Sequence, residues 1–444
     1  MGAVRPRLAL ASGVAAALIA VLAISACGGG SKISAIQAVE ADCGSVQYAG
    51  SGNASKLIVS DLPLKGDSGE RSRQMNNAIV QEIARKGWQA GQKTQVAFQA
   101  CDDSVGSTGE WDEATCHGNA TAYAANPDVI GVIGTYNSGC AAIEMPILNQ
   151  APGGGLAMVS PGNTFVCLTQ PSPTLCKKDE PAVYFPSGNR NYARVVPNDA
   201  VQGAGLASFA EEQGVKRPFV LIASDDPTSE GQGRTFAGAA NATGMQVVGM
   251  EHYDPDARDY APLMQKVKAS GADAVVFAAI LEENGVQLIR DKVAALGPND
   301  GAVKLLAFDG FAQQATIDNT GPDSKGMYVS LPGKVPGALT GAGDVFVKEL
   351  KSQIGDQPVE VFAPYAGQAA GVLLEAIRQG STRAGTISEL FKTKVEDGIT
   401  GSFTITPTGD PTPAPISVQR AADTFVLAGT ITPPPPLVSA ARGG

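Results

Sequence analysis

Short apolar runs alternate with segments of helical spacing through most of the chain. Residues 56–62 (KLIVSDL) and 129–134 (VIGVIG) have strand length, and the second run lacks polar alternation. Such a run is typical of a strand that is buried on both faces of a parallel sheet. Between them, Met75 and Ile79 recur on one face of a helix predicted at 72–85. The pattern therefore predicts strands and helices in alternation.

The same alternation continues along the chain. Further strands are predicted at 94–99, 156–160, 218–224, 246–250, 274–279 and 304–308. Further helices are predicted at 112–125, 138–149, 199–213, 233–243, 260–270, 283–296, 344–354, 365–378 and 387–394. Short antiparallel strands are predicted at 401–406, 416–420 and 425–428. This order predicts an α/β fold with two doubly wound parallel-sheet lobes.

Two segments interrupt this alternation of strands and helices. Residues 165–189 are rich in Pro and contain two Cys, so we interpret them as a surface insertion. Residues 429–444 are rich in Pro and Gly, and we expect a disordered tail there.

The first residues have the composition of an export signal. Arg5 and Arg7 precede an apolar stretch at 8–24, and a transmembrane anchor is the alternative interpretation. The sequence Ile-Ser-Ala-Cys at 24–27 resembles the lipobox of bacterial lipoproteins, which implies cleavage before Cys27 and attachment of a lipid to its sulfur. We therefore predict a signal peptide at 1–26 and a lipidated tether at 27–55.

Composition excludes several functions. The 444 residues carry a formal net charge of −10 without long basic runs, which argues against nucleic-acid binding. A chain of this length is longer than one hydrophobic core usually supports, so two lobes are expected. Only two His and no C-x-x-C pair are present, so neither a metal site nor a cofactor is predicted. We expect a monomer.

Apart from Cys27, six cysteines remain. An even number in an exported chain suggests disulfides, but six cysteines allow fifteen connectivities and the sequence does not choose among them. The preferred set closes the Pro-rich loop, joins two neighbouring helix starts, and pairs the remaining two by elimination: Cys167–Cys176, Cys116–Cys140 and Cys43–Cys101.

Four loops that follow predicted strands carry a family resemblance. They are Cys101-Asp102-Asp103, the segment 132–139 (VIGTYNSG), the segment 160–164 (SPGNT) and Phe308-Asp309-Gly310. Their order resembles the type 1 periplasmic binding proteins that bind leucine, isoleucine and valine. The resemblance covers residues 56–428.

The resemblance implies two lobes with a ligand in the cleft between them. It places three crossovers near 195–197, 329–331 and 399–401. One lobe would then hold 56–196 and 332–400, and the other 197–331 and 401–428.

Three residues are candidates for the two ends of an amino acid. Ser138 follows a strand and opens a helix, where free N–H groups and the helix dipole favour a carboxylate, although it also fits a helix cap. Thr164, with the Asn163 carbonyl, would face the cleft, although a Pro-Gly turn explains this loop equally simply. Asp309 would pair with an ammonium group, and the alternative is a solvated turn residue.

The family resemblance also implies residues for the walls of the site. Tyr136, Asn137, Glu230, Ile280 and Phe311 complete the predicted set. Family members that bind aliphatic amino acids tend to have aromatic residues where Ser68, Glu230 and Ile280 stand here. A Glu230 in the cleft would disfavour a purely aliphatic ligand.

The sequence thus predicts an extracytoplasmic solute-binding lipoprotein of an ABC importer. It would sit on the outer face of the cytoplasmic membrane, capture a small amino-acid-like ligand and deliver it to a permease. The alternative is a sensor domain of the same fold that reports to a membrane receptor. The sequence contains none of the H-E-x-x-H, G-x-S-x-G or P-loop motifs, so an enzyme is not expected.

Overall fold

The computed structural model describes residues 36–106, 109–224 and 226–443. The strands are β1 (Lys56–Leu62), β2 (Gln89–Ala90), β3 (Thr94–Asp102), β4 (Ser104–Val105), β5 (Glu110–Trp111), β6 (Val129–Gly134), β7 (Ala157–Ser160), β8 (Tyr192–Arg194), β9 (Pro218–Ala223), β10 (Gly249–Tyr253), β11 (Ala274–Ala278), β12 (Lys304–Ala307), β13 (Tyr328–Leu331), β14 (Lys394–Gly398), β15 (Gly401–Ile405), β16 (Pro411–Thr412), β17 (Ile416–Ala421) and β18 (Phe425–Ile431). The helices are α1 (Gly69–Arg85), α2 (Glu113–Ala125), α3 (Ser138–Asn149), α4 (Asp199–Glu212), α5 (Pro227–Ala242), α6 (Ala261–Ala269), α7 (Gly285–Leu296), α8 (Gln314–Thr320), α9 (Ala342–Ile354), α10 (Ala363–Gly380), α11 (Arg383–Leu390) and α12 (Pro435–Ala441).

The first lobe is built on a sheet with the order β2-β3-β1-β6-β7-β8. All neighbours from β3 to β8 are parallel, and β6 is buried along its whole length, as its continuous apolar sequence predicts. Helix α10 packs on β6 and β7 although it comes late in the chain. Gly131 permits this close approach, because a Cβ there would lie 2.7 Å from the Leu373 side chain.

The second lobe is built on a sheet with the order β10-β9-β11-β12-β13-β17-β18. Strands β10 to β13 are parallel, whereas β17 and β18 complete the sheet as antiparallel strands. Helices α4 and α5 pack against each other, and α6 packs against α7. The two doubly wound lobes agree with the fold predicted from the sequence.

The chain passes between the two sheets at three places. It leaves the first sheet after Arg194, returns to the first lobe after Leu331, and joins the second sheet again at Ile416. Before this last passage, β14, β15 and β16 form a separate three-stranded sheet. The first two passages follow strands near the implied crossovers at 195–197 and 329–331, whereas the third reaches the second sheet only at Ile416, beyond the implied 399–401.

Both ends of the described chain are fixed to the body of the protein. The segment before β1 adds to the edge of the first sheet, where Gln47 pairs with Phe98 and Cys43 forms a disulfide with Cys101. At the other end, residues predicted to be a disordered tail instead form α12, which packs against α4 and α5. Leu437 and Ala441, one helical turn apart, are buried in that contact.

The structure contains the three expected disulfides, Cys43–Cys101, Cys116–Cys140 and Cys167–Cys176. In the part of the chain that the structure describes, helices that could span a membrane by length and hydropathy are absent. The signal segment and Cys27 lie outside the described residues.

Candidate functional site

A small cavity lies between the two lobes, at the carboxyl ends of strands from both sheets. Its volume is about 20 Å³. The lining residues follow β6, β7, β9, β11 and β12, and they are Tyr136, Asn137, Ser138, Gly162, Thr164, Asp226, Thr228, Gln232, Ile280, Asp309 and Gly310. Ligands of open α/β sheets bind at such carboxyl ends, so this cavity is the candidate site. It brings together six of the nine predicted ligand-binding residues.

The wall of the first lobe is formed by the start of α3. Asn137 is the N-cap residue in an extended conformation, and Ser138 begins the helix. The Ser138 hydroxyl accepts hydrogen bonds from the backbone N–H groups of Thr164 and Phe165, both at 3.2 Å. Its own proton is left to donate. The start of α3 therefore presents donors and a positive dipole end to the cavity, an environment that favours an anion.

The loop after β7 is held rigidly against this helix start. Ser160 Oγ accepts hydrogen bonds from the N–H groups of Gly162 (3.1 Å) and Asn163 (2.8 Å), and it donates to the Thr135 carbonyl (2.9 Å). The Cys116–Cys140 disulfide ties the first turn of α3 to α2. Covalent and hydrogen-bonded constraints thus fix the first-lobe wall before any ligand binds.

The wall of the second lobe is acidic. One carboxylate oxygen of Asp309 accepts hydrogen bonds from the side-chain amides of Gln202 (2.7 Å) and Gln232 (3.1 Å). Burial raises the pKa of Asp309 to about 6, an effect that the Gln202 hydrogen bond, a backbone hydrogen bond and the Arg71 charge partly offset. A ligand cation next to Asp309 would stabilise the ionised carboxylate.

Asp226 adds a second, half-buried carboxylate to this wall. It caps α5 by accepting hydrogen bonds from the Ser229 N–H and hydroxyl groups, both at 2.7 Å. Burial raises the pKa of Asp226. The Gln232 side-chain oxygen is buried without a hydrogen-bond partner. Together with Asp309, these acceptors favour a ligand that carries N–H donors or a positive charge.

Three predicted site residues lie outside the cavity. The Asn163 side chain donates to the Tyr136 carbonyl (2.8 Å) and accepts from the Tyr192 hydroxyl (3.0 Å), while its own carbonyl accepts from Arg194 (3.1 Å). Its polar groups are used to hold the loop. Phe311 is buried and packs against Phe277, with ring centroids 6.0 Å apart.

Glu230 also lies outside the cavity, because α5 begins at Pro227 rather than at 233 and carries it as part of the helix. Its carboxylate contacts His252 at 2.6 Å and pairs with Arg234 on the same helix. Burial alone would raise the pKa of Glu230, but the hydrogen bonds from His252 and Arg234 lower it below its usual value. The expected influence of Glu230 on the ligand side chain is therefore not supported by its position.

Sequence reasoning missed Asp226, Thr228 and Gln232. The Asp-Pro pair at 226–227 was the available signal, because an acidic N-cap followed by Pro in the first turn marks a helix start. It also missed Arg71, which is buried to 1% exposure on α1. Arg71 precedes Met75 by four residues, and this spacing places it on the apolar face of the helix.

Two groups among the described residues bring three possible metal ligands together. One contains Asp103 with Cys116 and Cys140, and the other contains Glu180 with Cys167 and Cys176. Both pairs of cysteines form disulfides, and a disulfide sulfur is not the thiolate that metals bind. Neither group is a candidate metal centre.

Several solved structures resemble this chain in fold. A leucine-binding protein from Thermotoga maritima has 21% identity and a TM-score of 0.72, with 85% of this chain and 99% of that chain covered. A branched-chain amino acid transporter substrate-binding protein from Streptococcus pneumoniae, in complex with isoleucine, has 15% identity and a TM-score of 0.68, covering 85% and 98%. A solute-binding protein of an ABC transporter from R. palustris, in complex with benzoate, has 16% identity and a TM-score of 0.68, covering 86% and 97%.

A search of curated protein sequences finds no match for this chain. The profile of the periplasmic binding proteins, by contrast, matches residues 120–424, which span strands of both sheets and all the residues that line the cavity. This family is one of substrate-binding proteins rather than enzymes. With the two-lobed fold and the site between the lobes, the match shows that the chain belongs to the periplasmic binding protein family.

Proposed function

We propose that this protein is the solute-binding component of an ABC importer and that it captures a small amino-acid-like ligand between its lobes. One observation carries the proposal. The cavity has the start of α3 with Ser138 on one side and the Asp309 carboxylate on the other. An anion site that faces a carboxylate matches the two charged ends of an α-amino acid.

The ligand carboxylate would bind at the first lobe, where the Ser138 hydroxyl and the free N–H groups of α3 can donate. The related proteins from S. pneumoniae and R. palustris were solved with isoleucine and benzoate, and both of these ligands carry a carboxylate. The ammonium group would then meet Asp309. Benzoate has no ammonium group, so the Asp309 contact is what would distinguish an amino-acid ligand here.

Binding requires the lobes to move. A cavity of about 20 Å³ holds little more than one water molecule, so an amino acid enters only when the lobes separate. The three passages between the sheets would serve as the hinge. The ligand would stabilise the closed form because it contacts both walls only in that form.

The location of the protein is part of the proposal. The lipobox resemblance at 24–27 and the preceding apolar stretch support a lipid anchor on Cys27 at the outer face of the cytoplasmic membrane. Metabolic labelling with a fatty acid, lost in Cys27→Ala, tests the anchor. A permease would recognise the closed form. A receptor partner remains the alternative, and adjacent permease and ATPase genes would distinguish importer from sensor.

A ligand screen on the purified chain tests the proposed function. We expect an α-amino acid to raise the unfolding temperature, corresponding to about 2.7 kcal/mol at a hundredfold excess over Kd. Calorimetry with derivatives of the tightest ligand should then show at least about tenfold weaker binding after N-acetylation, and likewise after conversion of the α-carboxylate to an amide. Full affinity of the N-acetyl derivative, or a panel without any stabilising amino acid, would contradict the proposal.

A further inference from the structure

A second group of polar side chains adjoins the cavity on the side of Tyr136. The Arg71 guanidinium lies 3.8 Å above the centre of the Tyr136 ring and donates from Nη2 to Ser68 Oγ at 2.6 Å. Arg71, Ser68 and Tyr136 are all buried, at 1%, 2% and 5% exposure. They all belong to the first lobe, and Tyr136 is shared with the cavity wall.

The second lobe completes this group. Glu282 Oε1 accepts hydrogen bonds from Ser68 Oγ and from Gln313 Nε2, the latter at 3.0 Å, and it lies 3.8 Å from Arg71 Nη2. Gln313 also reaches the carbonyl of Gly310, which lines the cavity, at 3.4 Å. Because the group is divided between the lobes, separation of the lobes would open it to a ligand.

Both lobes contribute to this group hydrogen-bonding atoms that have no partner. On the first lobe these are the donors Nε and Nη1 of Arg71, together with the Tyr136 hydroxyl. On the second lobe they are the acceptors Oε2 of Glu282 and Oε1 of Gln313. A buried polar atom without a partner is costly, so a set of five in one place indicates that another molecule supplies their partners.

We propose that this group binds the side chain of the ligand and selects a carboxamide end, as in glutamine or asparagine. The carbonyl oxygen of a carboxamide would accept from Arg71, and its NH₂ group would donate to Glu282 and Gln313. A single planar group thereby satisfies donors on one lobe and acceptors on the other.

The charges of the group support a neutral end. Arg71 and Glu282 lie 3.8 Å apart, so an ionised carboxylate in this group would lie against Glu282 and an ammonium would lie against Arg71. An aliphatic end would leave all the unused atoms without partners. A site that hydrogen-bonds a polar group of its ligand discriminates strongly against an analogue without that group. This discrimination is stronger than the discrimination of an apolar pocket against a ligand with one extra methylene group.

The inference rests on the proposed function, because the α-carboxylate and α-ammonium must first be held at Ser138 and Asp309. Calorimetric titration with glutamine, glutamate, lysine and leucine tests both together. We expect glutamine to bind at least about tenfold more tightly than each of the other three amino acids. Leucine would leave the polar atoms of the group without hydrogen bonds, and glutamate or lysine would bring an uncompensated charge into it.

The outcomes of this titration separate the two proposals. Tightest binding of leucine, glutamate or lysine overturns the carboxamide site and leaves the proposed function standing. Binding of none of the four, while an amino acid without a carboxamide stabilises the chain in the ligand screen, overturns this inference alone; a screen without any stabilising amino acid overturns the proposed function and this inference with it.

Two variants test the named residues. Arg71→Met should lower the preference for glutamine over leucine by about tenfold, whereas Arg73→Met, an exposed arginine on the same helix, should not change it. Glu282→Gln removes the negative partner of Arg71, and we expect it to shift preference from glutamine towards glutamate by about tenfold. An unchanged ratio in both folded variants overturns the inference, and the second variant decides if Arg71→Met does not fold.

Discussion

The environment of Asp309 has two opposing effects on the charge of its carboxyl group. It is buried to 5% exposure, yet one of its oxygens accepts two amide hydrogen bonds that favour the ionised form. Burial raises its pKa to about 6, so the group titrates within a range that an exported protein can meet. Binding of a ligand cation at this carboxylate, as proposed above, would therefore be coupled to pH.

This coupling gives a prediction for ligand binding. An ammonium group binds the ionised carboxylate, so affinity should be constant above pH 7 and fall by up to tenfold per pH unit well below pH 6. Asp309→Asn should weaken binding by about 1.5–3 kcal/mol at pH 7 and flatten this dependence. Calorimetry from pH 5 to 8 measures both effects, with the exposed Asp259→Asn as the control. A slope that persists in Asp309→Asn would assign the titration to another acid, such as Asp226.

For some residues, the sequence alone was sufficient to predict that they line the cavity. Ser138 and Asp309, which line the cavity, were predicted because each lies shortly after a strand, and strand ends in such folds meet at one cleft. Asn163 and Phe311 follow strands too, but they point into the body of the protein. A loop sequence does not reveal on which side each of its side chains will pack, so these two could not be separated from the true lining residues.

Among the structural elements, the loop after β7 depends on a buried ion pair. Arg194, at the end of β8, contacts Asp410 at 2.9 Å, with side-chain exposures of 0% and 8%. Arg194 also donates to the carbonyls of Asn163 and Phe165. Burial alone would raise the pKa of Asp410, but Arg194 and the hydrogen bonds from Gln170 and Thr169 hold it below its usual value.

Breaking this pair should destabilise the fold. We expect Asp410→Ala to lower the free energy of unfolding by about 3–5 kcal/mol, because it leaves the Arg194 charge buried without a partner. The exposed pair Asp344–Lys348 provides the control, since Asp344→Ala should cost less than about 1 kcal/mol. Denaturant unfolding compares the two variants, and equal losses would show that Arg194 finds other partners.

Most strands and helices followed from apolar periodicity, but several elements did not, among them β8, β13, β14, α8, the start of α5 and α12. Helix α5 begins at Asp226-Pro227, and its first turn contains no apolar side chain that a periodic pattern could detect. Helix α12 lies in a Pro-rich segment that by composition resembles disorder. It is helical because Leu437 and Ala441 pack against the second lobe, where Gly238 leaves room for the Ala440 carbonyl. Such tertiary support is invisible in local sequence.

For the whole molecule, buried acids should make stability depend on pH. Burial raises the pKa of Asp61 to about 6, and it raises those of Asp103 and Glu144 well above their usual values. Each of these groups binds its proton more tightly in the folded state than in the unfolded state. Their contribution is complete below pH 4 and is lost as pH rises through the folded-state values.

We therefore expect the free energy of unfolding to fall between pH 5 and pH 8. Glu144→Gln keeps the shape of a protonated carboxyl group and should stabilise the protein at pH 8 by on the order of 1 kcal/mol, with little effect at pH 5. Thermal unfolding at both values measures the change, and Glu211→Gln on the exposed side of α4 is the control. Equal effects of the two variants would contradict a Glu144 carboxyl group that binds its proton more tightly in the folded state.

The disulfide between Cys43 and Cys101 has a mechanical consequence. It bonds the leading segment covalently to β3, and the bridge between Gln47 and Phe98 reinforces that attachment. Any load applied at the start of the chain is thus delivered to the first sheet, while the second sheet follows through the three passages. If the protein is anchored at its N-terminal end, the first lobe is held in place and the second lobe is the one that moves.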